Sequence, residues 1–315
     1  AQYDADRAAW LAAEAAAKAA PAPIAKAKTK TPPLTAHAAF LKANPRPRAP
    51  RGPGDTWTPT GLFNGMINPL LPYALRGALW YQGESNTDRP SEYRALFSAL
   101  ITAWRGHFGQ GDFPFYWVQL ADFKAQKSTP SESAWAELRE AQTMTMKSVP
   151  NTGEAVIINL GEGQDIHPKN KQDVAKRLAR WALAETYHQQ GIVCRSPLYK
   201  SMEKQGNKIL LTFDHVAKND KAWRPFDVAK PIGFTIAGPD RKFMPAKATI
   251  LADGRIEVTN KKINDPIAAR YAWADNPVCN LFSTDGLPVT PFRTDDFEMT
   301  TKPKKIQPPP PATAR

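Results

Sequence analysis

The 315-residue sequence predicts an α/β fold: a parallel sheet flanked by helices, followed by an antiparallel β-rich lobe. Three observations carry this. Strand-length and helix-length segments alternate between about residues 60 and 190, the pattern of a sheet covered on both faces. The strand-length runs are apolar throughout, as strands buried on both sides are. From about 198 to 275 the segments become short and β-rich, with a hairpin signal at Asp253-Gly254.

The elements follow in order. Residues 1–56 are low in complexity. The stretch 5-ADRAAWLAAEAAAKAA-20 consists of strong helix formers. Prolines through 21–53 preclude a continuous helix, predicting an Ala-rich helix followed by an extended Pro/Lys linker. Residues 57–197 form the α/β region. Its first strand, at about 77–81, leads into 91-SEYRALFSALITAWRGHF-108, where Tyr93, Leu96, Phe97, Leu100, Ile101 and Trp104 recur at helical spacing. A second strand, 115-FYWVQL-120, precedes a helix across 133–146. A third, 155-AVIINL-160, leads through 161-GEGQDIHPKN-170 into a helix over 171–187. Residues 198–297 form the β-rich lobe, with strands at 208–213, 232–238, 247–260 and 269–275. The tail from 298 is rich in Pro and Lys and predicts disorder or polyproline structure.

Composition excludes several classes. The net charge of +12 sits largely in the flanks: residues 1–60 carry +5, residues 302–315 carry +4, and +3 remains for 61–301. Charge placed there solvates the flanks, and the chain is not expected to bind nucleic acid. No run of 18 apolar residues occurs, so no membrane span is expected. The start lacks a basic-then-apolar signal pattern. Cys194 and Cys279 lack metal-ligand spacing and stand either as one disulfide or as two free thiols.

Ligands of open parallel sheets bind beyond the carboxyl ends of the strands. Two strands here end in polar clusters, QGESN at 82–86 and GEGQDIHP at 161–168. If those strands are neighbours, Gln82, Gly83, Glu84, Asn86, Asp165 and His167 share one rim. An imidazole oriented by a carboxylate serves as a general base, and Gly and amide groups donate to an oxyanion, as acyl transfer requires. Each residue also has a plain structural role open to it. His167 before Pro168 could cap a helix, Glu84 could bond backbone donors, and Asn64 and Gly65 could form a turn. His37, His107, His188 and His215 read as structural or surface residues.

The stretches GLFNGMINPLLPYALRGALWYQGESN, FPFYWVQLADF, WAELREAQ, GEGQDIHPKNKQDVAKRLA and RYAWADNPVCNLFSTDGLPVTPFRTD resemble the sialate O-acetylesterases. These are serine esterases of the SGNH-hydrolase superfamily, and the resemblance runs from about 57 to 297. It implies an SGNH/flavodoxin-like three-layer α/β/α domain with β-rich lobes, acting on acetylated carbohydrates without a metal or organic cofactor. His167 would be the catalytic base and Asp165 its orienting acid, with Glu84 of QGES as competitor. Gln82, Gly83, Ser85 and Asn86, with Asn64 and Gly65, would bind substrate or oxyanion.

One departure stands out. The family's nucleophilic serine lies upstream of GLFNGM, yet no serine precedes Ser85 here. The resemblance therefore implies a chain truncated before or within the catalytic domain, with its first strand and nucleophile missing. It would then need the missing N-terminal part of its own domain as partner, and a signal peptide there would direct it to the periplasm or outside the cell. Ser85 sits at a strand-to-helix turn but lacks the second glycine of G-x-S-x-G. The alternative function is a non-catalytic carbohydrate-binding or interaction protein built on the same scaffold.

Overall fold

The computed structural model describes residues 2–20, 35–44, 46, 58 and 60–302. Most of the expected linker and the tail beyond 302 lie outside the described residues. The chain divides into two compact units, one up to Tyr73 and one from Ala74 onward. In the first, the Ala-rich segment forms helix α1 (Gln2–Ala19), and the proline-free stretch between Pro33 and Pro45 forms a second helix, α2 (Ala36–Ala43). That second helix was not expected. It is capped by Thr35, whose hydroxyl accepts from the Ala38 N–H. It pairs with α1 through the Trp10 and Phe40 rings, 5.7 Å apart, and through His37 on Glu14 at 3.2 Å.

The second unit opens with a three-stranded parallel sheet, β1 (Ala78–Trp80), β2 (Phe115–Val118) and β3 (Thr152–Ala155), in the spatial order β1-β2-β3. Helices α3 (Pro90–Phe108), α4 (Ala134–Ser148) and α5 (Lys171–Trp181) connect and cover it. The alternation of β2 shows how. Phe115 and Trp117 point to one face and meet Phe97 of α3 edge-on, at 6.2 and 5.1 Å. Tyr116 and Val118 point to the other and pack with Val174, Leu178 and Trp181 of α5. This is the expected three-layer arrangement. The outer side of β1 carries no strand among the described residues, and Leu79 there is 63% exposed.

The third strand differs from its predicted position. The apolar run 155–160 supplies only Ala155 to β3, which begins at Thr152. Val156 and Ile158 instead enter a core shared with the β-rich lobe, beside Ile209, Leu211, Ile236 and Tyr271. Burial, not strand pairing, accounts for their apolarity.

The lobe itself holds two four-stranded antiparallel sheets. One has the order Leu198–Gln205, Lys208–Asp214, Ile256–Thr259, Lys247–Ile250; the other is Phe292–Arg293, Ala268–Tyr271, Phe234–Ala237, Phe243–Pro245. The expected hairpin closes at Asp253-Gly254, where the Gly254 N–H donates to the Leu251 carbonyl. Cys194 and Cys279 are both free thiols.

One core group makes stability depend on pH. Glu154 of β3 is buried, and its carboxylate accepts from Trp117 Nε1 at 3.1 Å and from Thr143 Oγ1 at 2.7 Å. Burial outweighs these bonds and pushes its pKa from 4.5 up to about 7. The folded state thus holds this proton more tightly than the unfolded chain. The resulting stabilisation is complete below pH 4.5 and is lost as pH rises through about 7. The loss amounts to about 3 kcal/mol, at 1.36 kcal/mol per pKa unit. Urea melts across this range should show that decline in wild type and a flattened profile in Glu154→Gln. An unchanged slope in the variant would contradict the assignment.

Candidate active site

The strand β1 ends at Trp80, and its continuation Tyr81, Gln82 and Gly83 turns into a short 3₁₀ helix, Glu84–Asn86. Gly83 makes the turn with φ 152°, a region L side chains rarely adopt. A Cβ there would also meet Gln142 Nε2 at 3.1 Å. The Gln82 side chain is fixed from both ends. Its Nε2 donates to Asn86 Oδ1 at 2.8 Å, and its Oε1 accepts from the Tyr93 hydroxyl at 3.2 Å. The Gln82 carbonyl accepts from Gln142 Nε2 as well. QGESN is thus held from beneath by α3 and α4.

The GEGQDIHP loop is anchored separately. The Gly161 N–H donates to Asp122 Oδ1 at 2.7 Å, and a Cβ on Gly161 would collide with the Asp122 carbonyl oxygen at 1.9 Å. Burial raises the Asp122 pKa, countered in part by this bond. Asp165 accepts the His167 backbone N–H at 2.9 Å through Oδ1, and the same oxygen lies 3.7 Å from His167 Nδ1. Glu162 pairs with Lys169 at 3.1 Å. The His167 side chain is 86% exposed. Its imidazole is therefore open to a reacting group and flanked on one side by a carboxylate.

The two loops meet. A cavity of about 450 Å³ is walled by Tyr81, Gln82, Glu84 and Ser85 from one and by Ile166, His167, Pro168 and Lys171 from the other. They do so although their strands are not neighbours: β2 lies between β1 and β3. Loops at the same end of the sheet reach across one strand. Gly83, Asn86 and Asp165 do not line it, though each adjoins a lining residue in sequence. Ser85 is exposed at the rim, and no hydrogen-bond partner holds the Glu84 carboxylate among the described residues. Its charge adds to burial in raising the Tyr81 pKa to about 12. Asn64 and Gly65 belong to the first unit, in an exposed π-helical turn, Phe63–Ile67.

Three contributors escaped the sequence reading. Lys171 lies over the Tyr81 ring at 5.0 Å and closes the cavity wall. Asp122, within the quoted FPFYWVQLADF motif, sets the loop that carries His167. Arg139, within WAELREAQ, is fully buried and donates to four carbonyls, those of Leu120, Ala121, Ala274 and Asp275. It fastens the end of β2 to the segment after Ala268–Tyr271. No group of three or more metal-binding side chains clusters among the described residues.

Residues 55–184 match the family model described as carbohydrate esterase, sialic acid-specific acetylesterase. The sialate O-acetylesterase of Mus musculus is 34% identical over 261 residues, covering 73% of this chain and 46% of that protein. Its Homo sapiens counterpart is 30% identical over 257 residues, with 73% and 48% covered. A crystal structure of a carbohydrate acetylesterase from Xanthomonas citri is 42% identical with a TM-score of 0.69, covering 75% of this chain and 54% of that one. The chain spans about half the length of the curated relatives it matches. The expected fold class agrees with that structure, and four of the five motifs quoted from the sequence fall within residues 55–184: the chain belongs to the sialate O-acetylesterase family of carbohydrate esterases.

Proposed function

We propose that the cavity between QGESN and GEGQDIHP is the acyl-transfer site of a carbohydrate O-acetylesterase working by a serine, histidine and acid mechanism. One observation carries this reading: an exposed imidazole beside a carboxylate, facing polar groups across a cavity at the carboxyl end of a parallel sheet. His167 takes the proton from a serine hydroxyl as its oxygen attacks the acetyl carbonyl. The tetrahedral oxyanion collects hydrogen bonds from the QGESN turn. His167 then protonates the departing sugar oxygen, and water, deprotonated by the same imidazole, releases acetate.

Asp165 is the orienting acid in this scheme. Its carboxylate already faces the His167 side chain and is held there by the His167 backbone N–H. Glu84 lines the cavity and acts on substrate instead. In an aryl-acetate assay of a polypeptide extended to carry the nucleophile, Asp165→Asn should lower kcat about 10²-fold or more, while Glu84→Gln should leave the pH optimum of the imidazole in place. The reverse ranking would exchange the two roles.

The attacking serine is not Ser85. GES lacks the elbow's second glycine, and the exposed Ser85 hydroxyl makes no hydrogen bond to an imidazole among the described residues. The serine comes from a strand outside this sequence, placed along the free side of β1. Leu79, exposed on β1, supports that position. An open edge of this kind also recruits other chains. The 315-residue chain alone should elute from a sizing column as oligomers or aggregate; a monodisperse monomer would count against a missing strand.

A further inference from the structure

A separate cavity, of about 180 Å³, opens between the sheet layer and the β-rich lobe and shares no wall residue with the acyl-transfer site. Met146 of α4, Val156 after β3 and Leu198 of the lobe give it apolar walls. Trp181 borders it too, but the Arg195 guanidinium already covers that ring, 4.8 Å from its centroid. Ser196 and Thr290 also line it, and they are only 8% and 2% exposed. Neither hydroxyl has a hydrogen-bond partner among the described residues. Buried hydroxyls are as a rule paired, so two unpaired ones on one cavity point to a ligand.

The charges around the cavity narrow the choice of ligand. Lys147, exposed near the end of α4, has no carboxylate partner among the described residues. Arg195 makes one hydrogen bond, from Nη2 to Glu185 at 3.0 Å, and its other N–H groups have no partner among the described residues. Glu154 also lines the cavity, but its oxygens accept from Trp117, Gln119 and Thr143. His215 is held toward its neutral form, because partial burial lowers its pKa and the Arg195 charge adds to the effect. A neutral imidazole still donates one hydrogen bond. The uncommitted groups can thus all donate, two of them are cationic, and apolar walls stand beside them. Their complement is an anionic, acceptor-rich head on a compact apolar body.

We infer that this cavity binds a small monocarboxylate with an apolar body, as a site distinct from that of acyl transfer. Fluorine NMR of the 315-residue chain with 4-fluorobenzoate tests this, since line broadening reports binding whatever the oligomeric state. The titration is run at about pH 6, where Glu154 is protonated, its pKa lying at about 7. There 4-fluorobenzoate should bind at least about tenfold more tightly than neutral 4-fluorobenzyl alcohol, the effect of one charge-assisted hydrogen bond. Lys147→Ala should weaken binding of the anion and leave that of the alcohol unchanged. Ser196→Ala/Thr290→Val should lower affinity for 4-fluorobenzoate about tenfold or more. It should melt no lower than wild type, because no hydrogen bond within the protein is lost. His167→Ala should bind as wild type does. Equal affinity for acid and alcohol, no binding, or unchanged affinity in either the lysine or the hydroxyl variant would each overturn the site. So would earlier melting of the hydroxyl variant, which would pair those groups within the protein. Loss of binding in His167→Ala would overturn it too, moving the carboxylate to the acyl-transfer cavity.

Discussion

Replacing His167 with alanine, in a polypeptide extended to carry the nucleophile block, should lower kcat/KM for an aryl acetate by about 10³-fold or more. The size follows from the role proposed for it. Without the base, the serine must attack as a neutral hydroxyl, and the leaving oxygen must depart without a positioned proton. The fold should be unaffected. The side chain is 86% exposed, and among the described residues its side-chain partner is Asp165 at 3.7 Å. Matching melting curves with lost turnover therefore isolate chemistry from stability. A variant retaining most of its activity would remove His167 from the mechanism, and with it the functional meaning of the cavity.

Arg139→Met should give the largest loss of stability. The guanidinium is fully buried and satisfies the carbonyls of Leu120, Ala121, Ala274 and Asp275 at 2.7 to 2.9 Å. Burial draws its pKa down to about 10, still far above neutrality, so it remains charged where the protein works. Methionine fills most of the volume and supplies no donor. The Leu120 and Ala274 carbonyls then lose their donor, at about 1–3 kcal/mol each where water cannot replace it, while Ala121 keeps Trp135 Nε1 and Asp275 keeps the Phe123 N–H. We expect a loss of at least about 2 kcal/mol in urea-induced unfolding, a substantial part of the total stability of a typical domain. A loss below about 1 kcal/mol would mean that the loops close up or that water enters.

The parts of this structure legible in sequence were those with local causes. The helical spacing of Tyr93, Phe97 and Ile101 marks the buried face of α3, and Asp253-Gly254 marks the hairpin. The polar ends of two apolar runs located both site loops. What was not legible depends on contacts distant in sequence. The run 155–160 looks like a strand, but Val156 and Ile158 serve a core made with the lobe, while the unpromising TGEA segment forms β3. The strand Leu198–Gln205 is mostly exposed, so no apolar alternation announces it. The convergence of QGESN and GEGQDIHP likewise comes from loops crossing above β2, a relation that spacing along the chain does not encode. Arg139 gave no signal as a single charged residue, because its role lies in the carbonyls gathered around it.

The central claim is that His167 serves a serine this chain does not itself carry. Fluorophosphonate labelling followed by peptide mass spectrometry tests it most directly, on the 315-residue chain and on the extended polypeptide with and without His167→Ala. The account predicts no adduct on the 315-residue chain. In the extended polypeptide it predicts one adduct, on a serine preceding Ala1, which disappears with His167. An adduct on Ser85 in either polypeptide would contradict it and make the QGES serine the nucleophile.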